Sequence, residues 1–177
     1  INTLKRTYES LKRQTSKDFV WLIIDDGSTD NPYEIIKEWI KINNGFEIRY
    51  VYKENGGMHT AHNTAYENID TELNVCVDSD DYMPDNAVQL IIDCWNKNKN
   101  KDYAGIIALD FADSTKKVIG KELPTDKEST TLMGYYNNGG FGDKKLIYRT
   151  DIIKQTPPYP VFDNEKYVAL AYKYHLI

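Results

Sequence analysis

The chain has 177 residues, 41% of them hydrophobic and 28% charged, with 22 basic against 27 acidic side chains and a net charge of −5. That length and balance predict one globular domain with a single sizeable core, and they exclude a disordered chain. No Lys/Arg cluster interleaved with aromatics is present, so no nucleic-acid partner is expected.

The elements follow in chain order. Leu4, Tyr8 and Leu11 share one helical face, and Phe19 to Ile24 is an apolar run of strand length. That strand ends at Asp25-Asp26-Gly27-Ser28-Thr29-Asp30-Asn31-Pro32, where Gly27 supplies a turn, Asp30 or Asn31 can cap, and Pro32 fits a first helical turn. Ile35, Ile36, Trp39 and Ile40 stripe the helix that follows, and Asn43-Asn44-Gly45 ends it. Alternation from Phe46 to Tyr52 predicts a second strand nearer a sheet edge, followed by Glu54-Asn55-Gly56-Gly57 and a helix to about Ile69. Leu73 to Val77 reads as a buried strand, and Val88, Ile91, Ile92 and Trp95 mark the next helical face. Cys76 in that strand and Cys94 on that face read as buried free thiols of a reducing compartment.

The later chain predicts strands at Ala104 to Leu109 and Lys145 to Arg149, a short segment at Lys117 to Ile119, and helical stretches at Glu128 to Tyr136 and Asp151 to Gln155. Pro157-Pro158-Tyr159-Pro160 cannot be helical. Alternation of β and α through the first hundred residues, with nearly all-apolar strands, predicts an α/β fold: a mostly parallel, Rossmann-like central sheet with helices on both faces. Ligands of such sheets bind at the carboxyl ends of the strands, which places Asp25-Asp26 and Asp78 to Asp81 along one rim.

Three carboxylates in four positions, Asp78, Asp80 and Asp81, are costly at a strand end unless something positive sits there. An Asp-x-Asp in that setting suits Mn²⁺ or Mg²⁺, completed by substrate phosphates; a solvated acidic turn is the alternative. An EF-hand is excluded, since Met83 and Gln89 stand where its loop needs Gly and Glu. No apolar run reaches the length of a membrane span and no signal peptide is legible, so a cytoplasmic location is expected, with room for work at the inner face of a membrane.

Taken together, Ile23-Ile-Asp-Asp-Gly-Ser-Thr-Asp30, Asn55-Gly-Gly with Asn63 further on, and Asp78-Ser-Asp-Asp-Tyr-Met-Pro-Asp85 resemble family 2 glycosyltransferases of the GT-A fold. The resemblance covers residues 1–177 as a single GT-A-like domain, with a nucleotide-sugar-binding half at 1–82 and an acceptor-side half at 83–177. It implies inverting transfer of a sugar from a nucleotide diphosphate donor, a UDP-sugar, to a saccharide or lipid-linked acceptor in surface glycan assembly. Under it, Asp25 and Asp26 recognise the nucleoside, Asp26 being the stronger candidate. Asn55, Gly56, Gly57, His62, Asn63 and Asp78 line the donor, while Asp78, Asp80 and Asp81 hold Mn²⁺ or Mg²⁺. Glu165, with Asp163 nearby, takes the proton from the acceptor hydroxyl, and Asp143 lines the acceptor side or bonds to a turn.

Some features depart from the family pattern. His62 stands before Asn63 where relatives often carry Arg, and Ala169-Leu170 stands where some carry Pro-Glu. The chain opens near its first helix, without the family's usual first strand, and ends within an apolar segment, which leads to the expectation of a domain truncated at both ends. A degenerate nucleotide-sugar-binding module is the alternative function, and a nucleotidyltransferase a further one.

Overall fold

The computed structural model describes residues 2–177. In order they form α1 (Asn2–Lys12), β1 (Val20–Asp26), α2 (Tyr33–Lys41), β2 (Glu47–Lys53), α3 (Met58–Asn68), β3 (Leu73–Val75), α4 (Ala87–Asn98) and β4 (Gly105–Leu109). They continue with β5 (Phe111–Ala112), β6 (Lys117–Val118), α5 (Leu132–Asn137), β7 (Lys144–Arg149), α6 (Thr150–Gln155) and α7 (Ala171–Tyr174).

The α/β expectation holds, but one large parallel sheet does not form. The only parallel pair among the described residues is β1 with β2, in register from Val20 opposite Glu47 to Asp26 opposite Lys53. A second sheet runs β3-β7-β4, with β7 antiparallel to both neighbours. A small antiparallel pair, β5-β6, makes a third. The physical reason is β7, which enters late in the chain between β3 and β4 and takes the edges they would have offered each other.

Burial explains why the first unit folds as it does. Ile36 is fully buried and Trp39 nearly so, packed from α2 on Tyr8 of α1, Ile23 of β1 and Ile48 of β2. The Tyr8 ring stacks on Trp39 with centroids 4.1 Å apart, and Trp21 extends the stack. The stripes expected on α1 and α2 therefore meet in one core through Leu4, Tyr8, Ile35, Ile36 and Trp39, whereas Ile40 is 44% exposed.

Further local expectations fail for identifiable reasons. The strand expected to reach Val77 stops at Val75, because β7 pairs with β3 only through Ile147, Tyr148 and Arg149. Cys76 then leaves the ladder and is exposed; Cys94 is exposed as well, sharing the outer side of α4 with exposed Leu90 while Val88 and Trp95 point inward. The helix expected from Glu128 starts at Leu132, because Thr131 caps it by accepting the Gly134 N–H at 2.9 Å. Among the described residues no helix is long and apolar enough to cross a membrane.

Ile36→Ala is expected to destabilise the protein by about 2–5 kcal/mol, since the fully buried site has aromatic and β-strand walls that cannot collapse inward. Urea unfolding read by tryptophan fluorescence checks it, and a loss under about 1 kcal/mol would contradict the core described.

Candidate functional site

The parallel pair ends in two carboxylates whose surroundings differ. Asp25 is only 5% exposed; its Oδ2 accepts the Tyr50 hydroxyl at 2.5 Å and its Oδ1 accepts the Ser28 N–H at 2.7 Å. Burial works against its charged form, but the Tyr50 bond and the backbone N–H groups of Ser28 and Gly27 outweigh that and hold the carboxyl below its ordinary range. A groove of about 770 Å³ opens beside it, walled by Ser28, Thr29, Tyr33, Tyr50 and Tyr52.

Asp26 is tied to the second sequence motif. Its carboxylate accepts Lys53 Nζ, the Gly56 N–H at 3.0 Å, the Gly57 N–H at 2.9 Å and Asn55 Nδ2 at 3.2 Å. Burial again opposes ionisation, and Lys53 with the two glycine amides again wins, so this carboxyl also lies low. Gly27, at φ +76°, lets the first loop close on the second: a Cβ there would stand 2.7 Å from the Asn55 nitrogen.

The far end of the chain folds onto the same loop. Lys166 Nζ donates to Asn55 Oδ1 at 2.7 Å, and a Cβ on Gly57, at φ +92°, would lie 2.0 Å from the Lys166 carbonyl oxygen. The turn that carries Asp163 and Glu165 is therefore seated against the Asn55-Gly56-Gly57 loop. Phe162 bridges Glu165, Asn164 takes φ +63°, and Glu165 Oε1 accepts the Tyr167 N–H at 2.7 Å. Both Asp163 and Glu165 are exposed.

Helix α3 carries the site toward the second sheet. His59 is 1% exposed, its Cε1 faces Gly57, and neither ring nitrogen has a hydrogen-bond partner among the described residues. His62, one turn on, is buried with Nδ1 3.1 Å from the Tyr66 hydroxyl. Burial holds its imidazole below the usual range although the Asp78 charge acts the other way. Asn63 exchanges two hydrogen bonds with the Tyr159 backbone, at 2.9 and 2.8 Å, and so pins the proline-rich segment to α3.

The acidic loop is fastened from behind by α1 and the turn that follows it. Thr7 Oγ1 donates to the Asp81 carbonyl at 2.6 Å, Arg6 to the Asp80 carbonyl, and Gln14 Nε2 to the Pro84 carbonyl at 2.7 Å. Ser10 Oγ accepts the Met83 N–H at 3.2 Å, and Gln14 Oε1 accepts the Val88 N–H at 3.0 Å. With the backbone held, the Asp78 and Asp80 carboxylates are exposed and receive no hydrogen bond or ion pair from a side chain among the described residues, while Asp81 lies 3.7 Å from Lys145 Nζ. Among the described residues no three His, Cys, Asp or Glu side chains form a metal cage. Carboxylate oxygens of this kind are the donor type that suits a Mn²⁺ or Mg²⁺ held by one or two carboxylates and completed by phosphate oxygens. Asp143 is exposed beside the Lys144 turn.

Reading the sequence missed the groups that do the fastening. Thr7, Ser10 and Gln14 are nearly fully buried and repeat at helical spacing, the signal that could have found them, but an apolar period does not pick out polar residues. Lys53, Lys145 and Lys166 were given no role by the sequence pattern.

Because the Asp25 and Asp26 carboxyls are lowered by folding, the stability they add is complete above the ordinary carboxyl value near 3.9 and is lost as pH falls through their folded values. The urea midpoint is expected to drop as pH is lowered from about 5 toward 3, and Asp26→Asn to shrink that drop while costing about 1–3 kcal/mol at pH 7. An acid limb of unchanged steepness in Asp26→Asn would contradict the described network.

Comparison with known proteins gives a consistent picture. An uncharacterised glycosyltransferase of Rickettsia conorii is 31% identical over 137 residues, covering 75% of this chain and 22% of the relative. The teichoic acid poly(glycerol phosphate) polymerase of Staphylococcus epidermidis is 34% identical over 89 residues, covering 50% of this chain and 12% of that protein. The chain thus spans under a quarter of the length of either relative. In fold it is similar to the crystal structure of S. aureus TarS 1–349 in complex with UDP, with a TM-score of 0.62 at 22% identity, covering 88% of this chain and 46% of that one. The family model for glycosyl transferase family 2 matches residues 1–156, and the chain belongs to that family.

Proposed function

We propose that this chain is the donor-binding and catalytic part of an inverting glycosyltransferase that moves a sugar from a UDP-sugar to a saccharide or lipid-linked acceptor. The observation that carries the reading is the docking of Lys166 on Asn55 and Gly57, which seats the Asp163 and Glu165 turn against the loop held by Asp26. A base for the acceptor and a cradle for the donor then share one surface. The UDP bound to similar TarS supports the choice of nucleotide, and the teichoic acid polymerase supports surface glycan assembly as the setting.

In this reading Asp25 shapes the nucleoside side of the site through Tyr50 and Ser28, and Asp26 accepts the uracil N3–H in exchange for one of its present donors. Gly56 and Gly57 bring backbone N–H groups close to the donor; Asn55, His62 and Asn63 hold the walls. Asp78 and Asp80, with Asp81, would hold Mn²⁺ or Mg²⁺, which when bound supplies Lewis-acid neutralisation of the diphosphate. Glu165, whose Oε2 receives no donor among the described residues, takes the proton from the attacking acceptor hydroxyl, with Asp163 two residues away as the second candidate. Peripheral contact with a membrane would serve a lipid-linked acceptor.

Thermal shift with UDP, with and without Mn²⁺, separates this reading from others. UDP is expected to raise the melting temperature only with the metal, Asp80→Ala to abolish that effect, and Glu165→Gln to keep it while lowering kcat about 10²–10⁴-fold. Stabilisation without any turnover on sugar donors would favour a degenerate binding module, and no stabilisation by any nucleotide diphosphate would overturn the donor site.

A further inference from the structure

The strand β7 places two consecutive lysines on opposite sides of its sheet. Lys144 is almost fully buried and its Nζ donates to three carbonyls, those of Ile119 at 2.8 Å, Asp143 at 3.0 Å and Phe141 at 3.3 Å. That lysine closes the turn before β7 and is not available for anything else. Lys145 is different: its Nζ stands 3.7 Å from Asp81 and 3.8 Å from Asp110, too far from either for a made hydrogen bond. It sits between two carboxylates as a point charge and is committed to neither.

Those two carboxylates are unequal. Asp110 directly follows β4, its side chain is 24% exposed, its carbonyl accepts the Ile119 N–H at 2.8 Å, and Lys145 is the only cation paired with its carboxylate among the described residues. Asp81 is 53% exposed on the loop that α1 holds by its backbone, so its carboxylate can turn away without moving the chain. A cation that seeks Asp81 must first separate it from Lys145, whereas Asp110 keeps Lys145 in place in either state.

We propose that Lys145 is a positioning residue that is shared between Asp81 and Asp110 in the empty site and is left to Asp110 and the incoming diphosphate when donor and metal arrive together. The inference rests on the reading of Asp78, Asp80 and Asp81 as metal ligands. Lys145 disfavours a divalent cation alone, because the acidic loop is already partly neutralised, and favours a cation that brings negative phosphate with it. Coupling between metal and nucleotide is thus built into the protein side of the site.

The test is a Mn²⁺ titration of the intact protein followed by the electron paramagnetic resonance signal of free Mn²⁺, with and without UDP. In the native protein UDP is expected to tighten Mn²⁺ binding strongly. Lys145→Gln is expected to tighten Mn²⁺ binding without UDP by on the order of tenfold and to reduce the tightening that UDP brings, while Lys145→Arg behaves as the native protein. Asp110→Asn, which leaves Lys145 to Asp81 alone, is expected to weaken Mn²⁺ binding without UDP, and it serves as the independent variant if Lys145→Gln does not fold. Mn²⁺ binding that is the same or weaker in folded Lys145→Gln overturns the role of Lys145 and leaves the metal site intact. No Mn²⁺ binding in any protein, with or without UDP, overturns the metal-site reading and the inference with it.

Discussion

A carboxylate that ends a parallel strand must find donors or lose solvation, and Asp26 finds four: Lys53, Asn55 and the backbone N–H groups of Gly56 and Gly57. These four lie within five consecutive residues, so a single side chain fixes the end of β2, the loop after it and the entry to α3. The positive φ of Gly57 and its missing Cβ then leave room for the Lys166 carbonyl, and the distant Asp163–Glu165 turn settles on a loop that Asp26 has already shaped. Without that tie the strand-end carboxylates and the C-terminal turn would have no common reference.

The second sheet is brought to the same place by helices instead of by strand pairing. α3 starts at the Asp26 loop, and one turn later His62 lies within the field of Asp78. On the other side, α1 packs Tyr8 and Leu11 into the core and turns Thr7 and Ser10 toward the acidic loop, while Gln14, two residues past the helix, holds the start of α4. One helix therefore serves two purposes: its apolar face holds β1 and α2, and its polar face holds the backbone of the residues that carry Asp78, Asp80 and Asp81. Holding a loop by its carbonyls keeps its carboxylates available, which is what a binding loop for a hard cation requires.

How much of this was legible from the sequence depends on what each residue's environment adds to its type. The core was, because Ile36, Trp39 and Ile23 follow helix and strand periods that need no knowledge of neighbours. The positions of the three motif loops were, because their glycines and carboxylates interrupt apolar runs of strand length. The sheet was not: β7 is antiparallel and late in the chain, and periodicity says nothing of which strand lies beside which. Cys76 and Cys94 were misplaced because a ladder that ends at Val75 and an outward helix face are settled by pairing and packing. Thr7, Ser10, Gln14, Lys53, Lys145 and Lys166 were invisible because polar residues become structural only through the carbonyls and carboxylates that meet them.

The central proposal, that loops from four places in the chain form one donor surface, is tested most directly by amide hydrogen exchange with UDP and Mn²⁺ added. Protection is expected in residues 26–31, 54–58, 78–82 and 163–167 together, with β2 and α2 little changed. Protection confined to one of these segments, or spread over the β5-β6 pair and α5 instead, would contradict a shared site.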